Sequence, residues 1–244
     1  MANKKEESPK EPLSFEFEKL MEDKYNAVVC GTDEAGRGPL AGRVYAAAVV
    51  LDENDSGEEY LLRLDDSKKL TEKKRQELEV LIKEKALSWC VSYSEVEEIE
   101  QTDILSASLH AMRKAIYGLS ADRGLGKDEL ERLNVEAFGG KQVKAEAVIV
   151  DGNQTRGFEI PAMAIVGGDG KSFTIAAASI LAKVARDRYC LEVLDKTYPQ
   201  YMFAKHKGYG TKLHYQMVDT YGICPLHRKS FFKKYYESKN TTSK

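Results

Sequence analysis

An apolar run that ends in two adjacent carboxylates is the feature that most constrains this chain. Residues 26–33 predict a buried strand, and Asp33 and Glu34 stand at its end. Adjacent residues on a strand point to opposite faces, so the two carboxylates share one site only where the strand stops. Three glycines within the next eight residues favour that stop, because glycine permits positive φ and close approach of another backbone. The stretch therefore predicts a site for a metal-bound, phosphate-containing ligand.

Other glycine-rich sites fit this stretch less well. Gly36, Gly38 and Gly42 miss the spacing of a dinucleotide-binding fingerprint by one residue, and no Gly-Lys-Ser/Thr ending forms a phosphate-binding loop. Both loops hold a bare phosphate on backbone amides, and the two preceding acids would repel it. A divalent cation removes that repulsion. A nucleotide-binding fold and a simple solvated turn remain the alternatives.

The ten residues Asp33-Glu34-Ala35-Gly36-Arg37-Gly38-Pro39-Leu40-Ala41-Gly42 resemble the signature of the type 2 ribonucleases H, the ribonuclease HII family. The type 3 relatives usually depart from this pattern after the second glycine. The resemblance covers most of residues 26–230, with four separated motifs in the same order. Two positions differ from the usual pattern: Gly167 stands where lysine is common before Gly-Asp, and Arg43 stands where proline is usual.

Composition indicates an ordinary globular protein. The 244 residues suffice for one core, or for one core with a small appendage. The longest apolar run, residues 44–51, is too short to span a bilayer, and no hydrophobic signal core follows the N-terminus. The four cysteines are scattered without a Cys-x-x-Cys pair. We therefore expect a cytoplasmic protein with reduced, structural thiols and no membrane partner.

Charge is unevenly distributed along the chain. The net charge is −2, yet from residue 203 onward only Asp219 and Glu237 oppose a series of lysines and arginines. Acidic residues concentrate upstream, in 53–59 and 95–100. One end of the molecule can therefore attract a polyanion while the whole remains near neutral.

Hydrophobic periodicity predicts an α/β protein. Strands are expected over 26–33, 44–51, 87–94, 147–150 and 163–166. Helices are expected over 14–22, 71–85, 105–119, 172–194, 211–221 and 229–237, with Ser14, Thr71, Thr102 or Asp103, and Thr211 as caps. The resemblance implies an RNase H-like mixed five-stranded sheet flanked by helices, with a C-terminal helical region.

The domain organisation follows from this pattern. We expect residues 1–12 to be a disordered leader and 13–198 to form the catalytic core. Residues 120–144 are charged and glycine-punctuated, which predicts a surface insertion with at most a short helix over 128–137. Residues 199–244 are expected to form a helical substrate-binding region packed on the core.

Four carboxylates follow predicted strand ends, where sites form in open α/β sheets: Asp33, Glu34, Asp151 and Asp169. No histidine or cysteine stands at metal-ligand spacing beside them, so all-oxygen ligation favours Mg²⁺ or Mn²⁺. Two such ions can activate water and stabilise the leaving oxygen of a phosphodiester. Asp187 is a competing fourth acid. Asp169 is preferred because the resemblance places the ligand there and because a loop converges on the others more easily than a mid-helix residue.

The resemblance also implies substrate-binding residues. The backbone of Gly36-Arg37-Gly38 is expected to contact the ribose 2′-hydroxyl, the group that distinguishes RNA from DNA. Tyr209 corresponds to a tyrosine that packs on the next sugar, a deoxyribose. Ser67 and Lys68 are candidate phosphate contacts, although a solvated helix entry explains the lysine equally well.

The activity that the resemblance implies is metal-dependent endonuclease cleavage of RNA in RNA–DNA hybrids and of duplex DNA on the 5′ side of single ribonucleotides. The products would carry 3′-hydroxyl and 5′-phosphate ends, and the role would be ribonucleotide removal and primer clearance by a monomer. Phe231-Phe232 lacks the upstream pattern of a replication-clamp motif and is interpreted as core packing. A non-catalytic hybrid-binding protein and a Rossmann-type nucleotide-dependent enzyme are the rival functions.

Overall fold

A computed structural model describes residues 12–119, 127–141 and 143–242. The predicted leader therefore lies almost entirely outside the described residues, as does part of the predicted insertion. Within the described ranges the strands form one sheet in the order β4-β3-β2-β1-β5-β6. Their bounds are β1 Val29–Ala35, β2 Val44–Val50, β3 Ser88–Ser94, β4 Val135–Gly140, β5 Ala147–Asp151 and β6 Ala162–Ile165.

Helices cover both faces of this sheet. Their bounds are α1 Glu16–Tyr25, α2 Glu59–Leu62, α3 Glu72–Lys85, α4 Val96–Gln101, α5 Ile104–Gly118, α6 Lys127–Arg132, α7 Phe173–Tyr189, α8 Asp195–Thr197, α9 Phe203–His206, α10 Lys212–Tyr221 and α11 Lys233–Thr242. A π-helical turn, Cys190–Leu194, continues α7. No helix in the described ranges is long and apolar enough to cross a membrane.

The sheet is mixed, as the sequence predicts. β1 pairs antiparallel with β2 and parallel with β5, and β5 pairs parallel with β6. The α/β class is confirmed, but the predicted number of five strands is wrong. The additional strand, β4, pairs with β3 inside the segment predicted to hold at most a short helix over 128–137; the helix there is only Lys127–Arg132. β4 is a half-exposed edge strand ending in two glycines, so its sequence lacks a clear alternation.

The central strand β1 lies directly against α7. A Cβ atom built on Gly31 would stand 2.4 Å from Oγ1 of Thr174, so only glycine allows this close packing. α5 packs against β2 and β3 on the opposite face, because alternate residues of β2 enter two separate apolar clusters. The resulting three layers hold the ends of β1 and β5 in fixed positions.

Capping side chains begin several helices, as predicted. Thr71 accepts the N–H of Lys74, Asp103 that of Ser106, and Thr211 that of His214. The cap position of α1 is Phe15 rather than the predicted Ser14, although Oγ of Ser14 accepts the N–H of Glu16, the first residue of the helix, at 3.3 Å. Ser14 also forms a parallel bridge with Ser172, the residue that caps α7, and so joins the two helix starts.

The C-terminal segment packs on the same core as α7. Phe203, Val218 and Phe232 are buried in one cluster with residues of β2 and α7. The predicted core packing of Phe232 is confirmed, since its side chain is only 1% exposed. The chain's four cysteines are all buried with free thiols, as the sequence predicts.

Candidate active site

Two of the central strands bring carboxylates to the same edge of the sheet. The strand does not stop between Asp33 and Glu34 as predicted, because pairing with β2 continues β1 to Ala35; both acids lie near its end. Asp151 is the last residue of β5. The strands are parallel with Thr32 opposite Val150, so Asp33 and Asp151 occupy the next positions on neighbouring strands. Asp33 is only 5% exposed. The strand order therefore gathers acids that are far apart in the sequence.

Asp169 reaches this group through the turn that follows β6. The backbone N–H of Gly168 donates to Oδ1 of Asp151 at 2.7 Å, which holds the turn against the end of β5. Gly167 has φ +66°, a left-handed conformation that favours glycine, at the position where the resemblance leads one to expect lysine. Asp169 itself is 7% exposed.

These carboxylates repel one another. Burial raises the pKa of Asp33 well above its usual value, and the charges of Glu34, Asp151 and Asp169 raise it further. Opposing this, the N–H of Glu34 donates to Oδ1 of Asp33 at 2.6 Å. Burial also raises the pKa of Glu34, although Arg37 lies 3.3 Å from its carboxylate. The site thus has a deficit of positive charge.

Asp169 shows the same effect. Burial first, and then the charges of Asp151 and Asp66, raise its pKa to about 6. Lys68 opposes the shift from 3.8 Å away. Asp66, whose charge contributes to the raised pKa of Asp169, was not identified from the sequence, although it lies in the same short motif as Ser67 and Lys68.

The donor set fits a hard divalent cation. Every acid in the group offers carboxylate oxygen, which Mg²⁺ and Mn²⁺ prefer, and a cation would relieve the repulsion that raises the pKa values. In the part of the chain that the structure describes, no three histidine, cysteine, aspartate or glutamate side chains already form a metal cage. Water and substrate oxygens would therefore have to complete the coordination, as is usual for Mg²⁺.

Asp187, the competing fourth acid, is held by basic side chains. Lys183 donates to its Oδ1 at 2.5 Å, and Arg75 lies 3.5 Å from its Oδ2. Arg75 in turn donates to the carbonyl of Ser67 at 2.9 Å. Asp187 therefore belongs to an ion-pair network between α3 and α7, whereas Asp169 interacts with the other acids.

A cleft of about 540 Å³ opens beside the acids. Its lining contains three of the four predicted metal ligands and all six predicted substrate-binding residues, namely Asp33, Glu34, Asp151, Gly36, Arg37, Gly38, Ser67, Lys68 and Tyr209. Sequence reasoning missed three further lining side chains, Lys183, Ile104 and Phe231. They come from α7, α5 and the C-terminal segment, and no local pattern marks them.

Tyr209 is held from beneath by groups that sequence reasoning did not identify. The guanidinium of Arg186 lies 5.6 Å from the centre of the Tyr209 ring, and its Nη2 donates to the carbonyl of Lys207 at 2.6 Å. Nδ1 of His214 lies 3.0 Å from the carbonyl oxygen of Tyr209. The ring remains 41% exposed and faces the cleft.

A mixed sheet that collects carboxylates at the end of its central strands, beside a glycine-rich and basic cleft, is the arrangement of a metal-dependent phosphodiester hydrolase. The sequence model of the family described as ribonuclease HII matches residues 30–235. The ribonuclease HII of Idiomarina loihiensis is 48% identical over 204 residues, which cover 84% of this chain and 95% of that relative. The chain belongs to the ribonuclease HII family, which hydrolyses the RNA of RNA–DNA hybrids.

Solved structures show the same fold. Ribonuclease H2 of Pyrococcus horikoshii superposes with a TM-score of 0.58 at 24% identity, covering 83% of this chain and 92% of that one. Bst-RNase HIII in complex with Mn²⁺ gives a TM-score of 0.56 at 17% identity, over 80% of this chain and 62% of that one. The predicted RNase H-like fold is confirmed.

Proposed function

We propose that this chain cuts duplex DNA on the 5′ side of embedded ribonucleotides as well as the RNA of hybrids, leaving 3′-hydroxyl and 5′-phosphate ends. One observation carries the proposal: three of the four carboxylates, the Gly36-Arg37-Gly38 segment and Tyr209 border one cleft. A cutting site and a means of recognising a single ribose are thus adjacent.

Mg²⁺ or Mn²⁺ is the cofactor that we assign, with Asp33, Glu34, Asp151 and Asp169 as ligands. When bound, a pair of such ions supplies a Lewis acid for the phosphate and a means of activating water. The raised pKa values of Asp33 and Asp169 support this assignment, because burial and the neighbouring acids outweigh the positive charge of Lys68 beside them. The Mn²⁺ complex of a protein with the same fold is consistent with it.

The chain's own residues then bind and orient the nucleic acid. Lys68 and Lys183 border the cleft and place positive charge beside the acids, where a phosphate would lie. The peptide groups of residues 36–38 can exchange hydrogen bonds with a 2′-hydroxyl, and a deoxyribose would leave them unpaired. The exposed face of Tyr209 offers a surface against which the next sugar packs.

The cellular role that follows is removal of ribonucleotides and of primer RNA, by a monomer in the cytoplasm. The basic residues from 203 onward support binding of a long polyanion, because they lie in the segment that carries Tyr209. Phe231 borders the cleft and Phe232 is buried, so neither offers a clamp-binding aromatic pair.

The test uses a duplex with one embedded ribonucleotide, labelled at either end of that strand. We expect a nick on the 5′ side of the ribonucleotide in Mg²⁺ or Mn²⁺, no nick after a chelator is added, and no nick in an all-DNA duplex. Cleavage of a hybrid without any nick at the single ribonucleotide would contradict the proposal while leaving the family activity intact.

A variant separates this function from its rivals. Asp33→Asn should abolish nicking while retaining hybrid binding, and Asp23→Asn, an exposed acid on α1, should behave as wild type. A non-catalytic hybrid-binding protein would give no nick in either form. A Rossmann-type enzyme would instead show a rise in melting temperature with NAD or ATP.

A further inference from the structure

The side chain of Arg228 is fully buried, and all of its N–H groups donate hydrogen bonds to backbone carbonyls of one loop. It lies between α10 and α11 and is 0% exposed. A guanidinium has five N–H groups, and Arg228 uses its whole capacity. The acceptors are the carbonyl oxygens of Gly36 (2.7 Å), Pro39 (2.9 Å), Gly42 (2.9 Å), Arg37 (3.0 Å) and Arg43 (3.1 Å).

These acceptors belong to the connection between β1 and β2, which contains the Gly36-Arg37-Gly38 segment. The guanidinium is a rigid planar fork, so it fixes the directions of all five carbonyls relative to one another. Gly36 has φ +106°, a conformation that side chains disfavour, and the loop has no strand or helix of its own over 36–43. The Arg228 side chain thus holds the backbone of the loop at five carbonyl groups.

Backbone bonds attach the same loop on two sides. The N–H of Arg228 donates to the carbonyl of Leu40 at 2.8 Å, and the N–H of Gly42 donates to that of Leu226 at 2.8 Å. On the other side, the N–H of Leu40 donates to the carbonyl of Gly208, next to Tyr209, at 2.8 Å. The loop and the Tyr209 segment are therefore joined as one unit.

The structure assigns Arg228 as a positioning residue that sets the selectivity for the ribose 2′-hydroxyl. This inference rests on the proposed function, in which the backbone of residues 36–38 contacts that hydroxyl. Arg228 does not line the cleft, and its five side-chain N–H groups act through the loop; its guanidinium also lies 5.3 Å from the centre of the Phe231 ring, which lines the cleft. Displacing recognition groups by about 1 Å costs on the order of 10²-fold in rate, so a loop that loses its fixed path loses discrimination.

Carbonyl dipoles balance the charge of Arg228. In the described ranges it makes no ion pair, while burial and the nearby Arg186 lower its pKa to about 9. A lysine keeps the charge but offers three donors in place of five. Arg228→Lys would leave at least two loop carbonyls without a bond, and Arg228→Gln would leave more.

The experiment compares two duplexes that differ at one position, which carries either a 2′-hydroxyl or a 2′-fluorine. The ratio of kcat/KM for the two duplexes is measured in Mg²⁺ for wild type, Arg228→Lys and Arg228→Gln. Arg63→Lys is the matched control, because Arg63 makes only a surface pair with Glu77 at 3.0 Å. Amide hydrogen exchange of Leu40 and Gly42 reports on the loop in each protein.

We expect the Arg228 variants to lower the ratio at least tenfold, with the Mg²⁺ concentration for half-maximal rate unchanged. Exchange should accelerate at Leu40 and Gly42 but not in β1 or α7, and Arg63→Lys should match wild type. A wild-type ratio in the folded Arg228 variants would overturn the assignment, as would global unfolding of both, which would make Arg228 a requirement of the fold. A wild-type enzyme that does not discriminate between the duplexes would instead overturn the proposed function, and the assignment with it.

Discussion

The Nε2 atoms of His214 and His227 lie 3.0 Å apart, and both rings are completely buried. Nδ1 of His214 faces the carbonyl of Tyr209, so it carries a hydrogen and Nε2 of the same ring accepts one from His227. Nδ1 of His227 accepts the N–H of Cys224 at 2.9 Å. Each of the four ring nitrogens thus donates or accepts one hydrogen bond while both histidines are neutral. Protonation of either ring converts an acceptor nitrogen into a donor and breaks a hydrogen bond.

This pair predicts acid sensitivity. The pKa of each histidine is lowered to about 4, by burial first and then by another histidine nearby, whereas an unfolded histidine titrates near 6.5. Between these values the unfolded chain binds protons that the folded chain does not, so the free energy of unfolding falls as pH drops from 6.5 to 4. Because one pKa unit corresponds to about 1.4 kcal/mol, we expect a loss on the order of 3 kcal/mol for each histidine of the pair.

Urea unfolding at several pH values measures this loss. His227→Asn should be less stable at pH 7.5 yet show a shallower decline between pH 6.5 and 4. If the free energy of unfolding declines equally with falling pH in wild type and His227→Asn, the histidine pair does not control the acid sensitivity.

Asp33→Asn should lower the nicking activity and raise the stability of the fold. Its carboxylate is buried and repelled by Glu34 and Asp151, so removing it in the presence of a chelator should raise the free energy of unfolding. Nicking should fall by on the order of 10²-fold or more, because a charge-stabilising group is lost. Thermal melting and a nicking assay check both effects, and an unchanged or lowered melting temperature would refute the repulsion.

Asp169 and Asp187 should fail in different ways. Asp169→Asn removes an acid that interacts with Asp33 and Asp151, so we expect a higher Mg²⁺ concentration for half-maximal rate. Asp187→Asn leaves Arg75 and Lys183 without their shared partner and should cost about 2–4 kcal/mol of stability at an unchanged Mg²⁺ requirement. The two roles are distinguished by measuring the nicking rate against Mg²⁺ concentration and the free energy of unfolding in urea for both variants. A raised Mg²⁺ requirement in Asp187→Asn but not in Asp169→Asn would make Asp187 the ligand.

The aromatic ring of Tyr209 should contribute more to cleavage at a single ribonucleotide than its hydroxyl does. Tyr209→Ala should lower kcat/KM at a single ribonucleotide about tenfold, since packing of an aromatic ring on a nucleotide is worth ~1–3 kcal/mol. Tyr209→Phe keeps the ring and should lose only a few-fold. Tyr25→Ala, with 42% exposure against 41% for Tyr209, is the matched control. Equal losses on a continuous hybrid and at a junction would argue against junction recognition by this ring.

Local patterns made much of the fold predictable. Thr71, Asp103 and Thr211 mark helix starts because a cap and the N–H it accepts are three residues apart. β4 was not predicted, because it gains its structure from β3 across the chain rather than from its own alternation. Ser14 precedes the cap position of α1 rather than occupying it, and its bridge to Ser172 is likewise a distant contact.

The acids of the site were predictable because three of them stand at or near the end of a strand and Asp169 lies in the glycine turn after β6. Arg186, Arg228 and the histidine pair were not, since nothing in their neighbouring residues indicates what they contact. The carbonyls that Arg228 bonds are 185 to 192 residues away along the chain. Such partnerships become visible only once the chain is folded.

That separation imposes an order on biosynthesis. A ribosome makes the β1–β2 loop well before Arg228, so the side chain that bonds the loop carbonyls follows Asp33, Glu34 and Asp151 in synthesis. A nascent chain interrupted before residue 228 would carry these acids and the loop without the five hydrogen bonds from the Arg228 guanidinium.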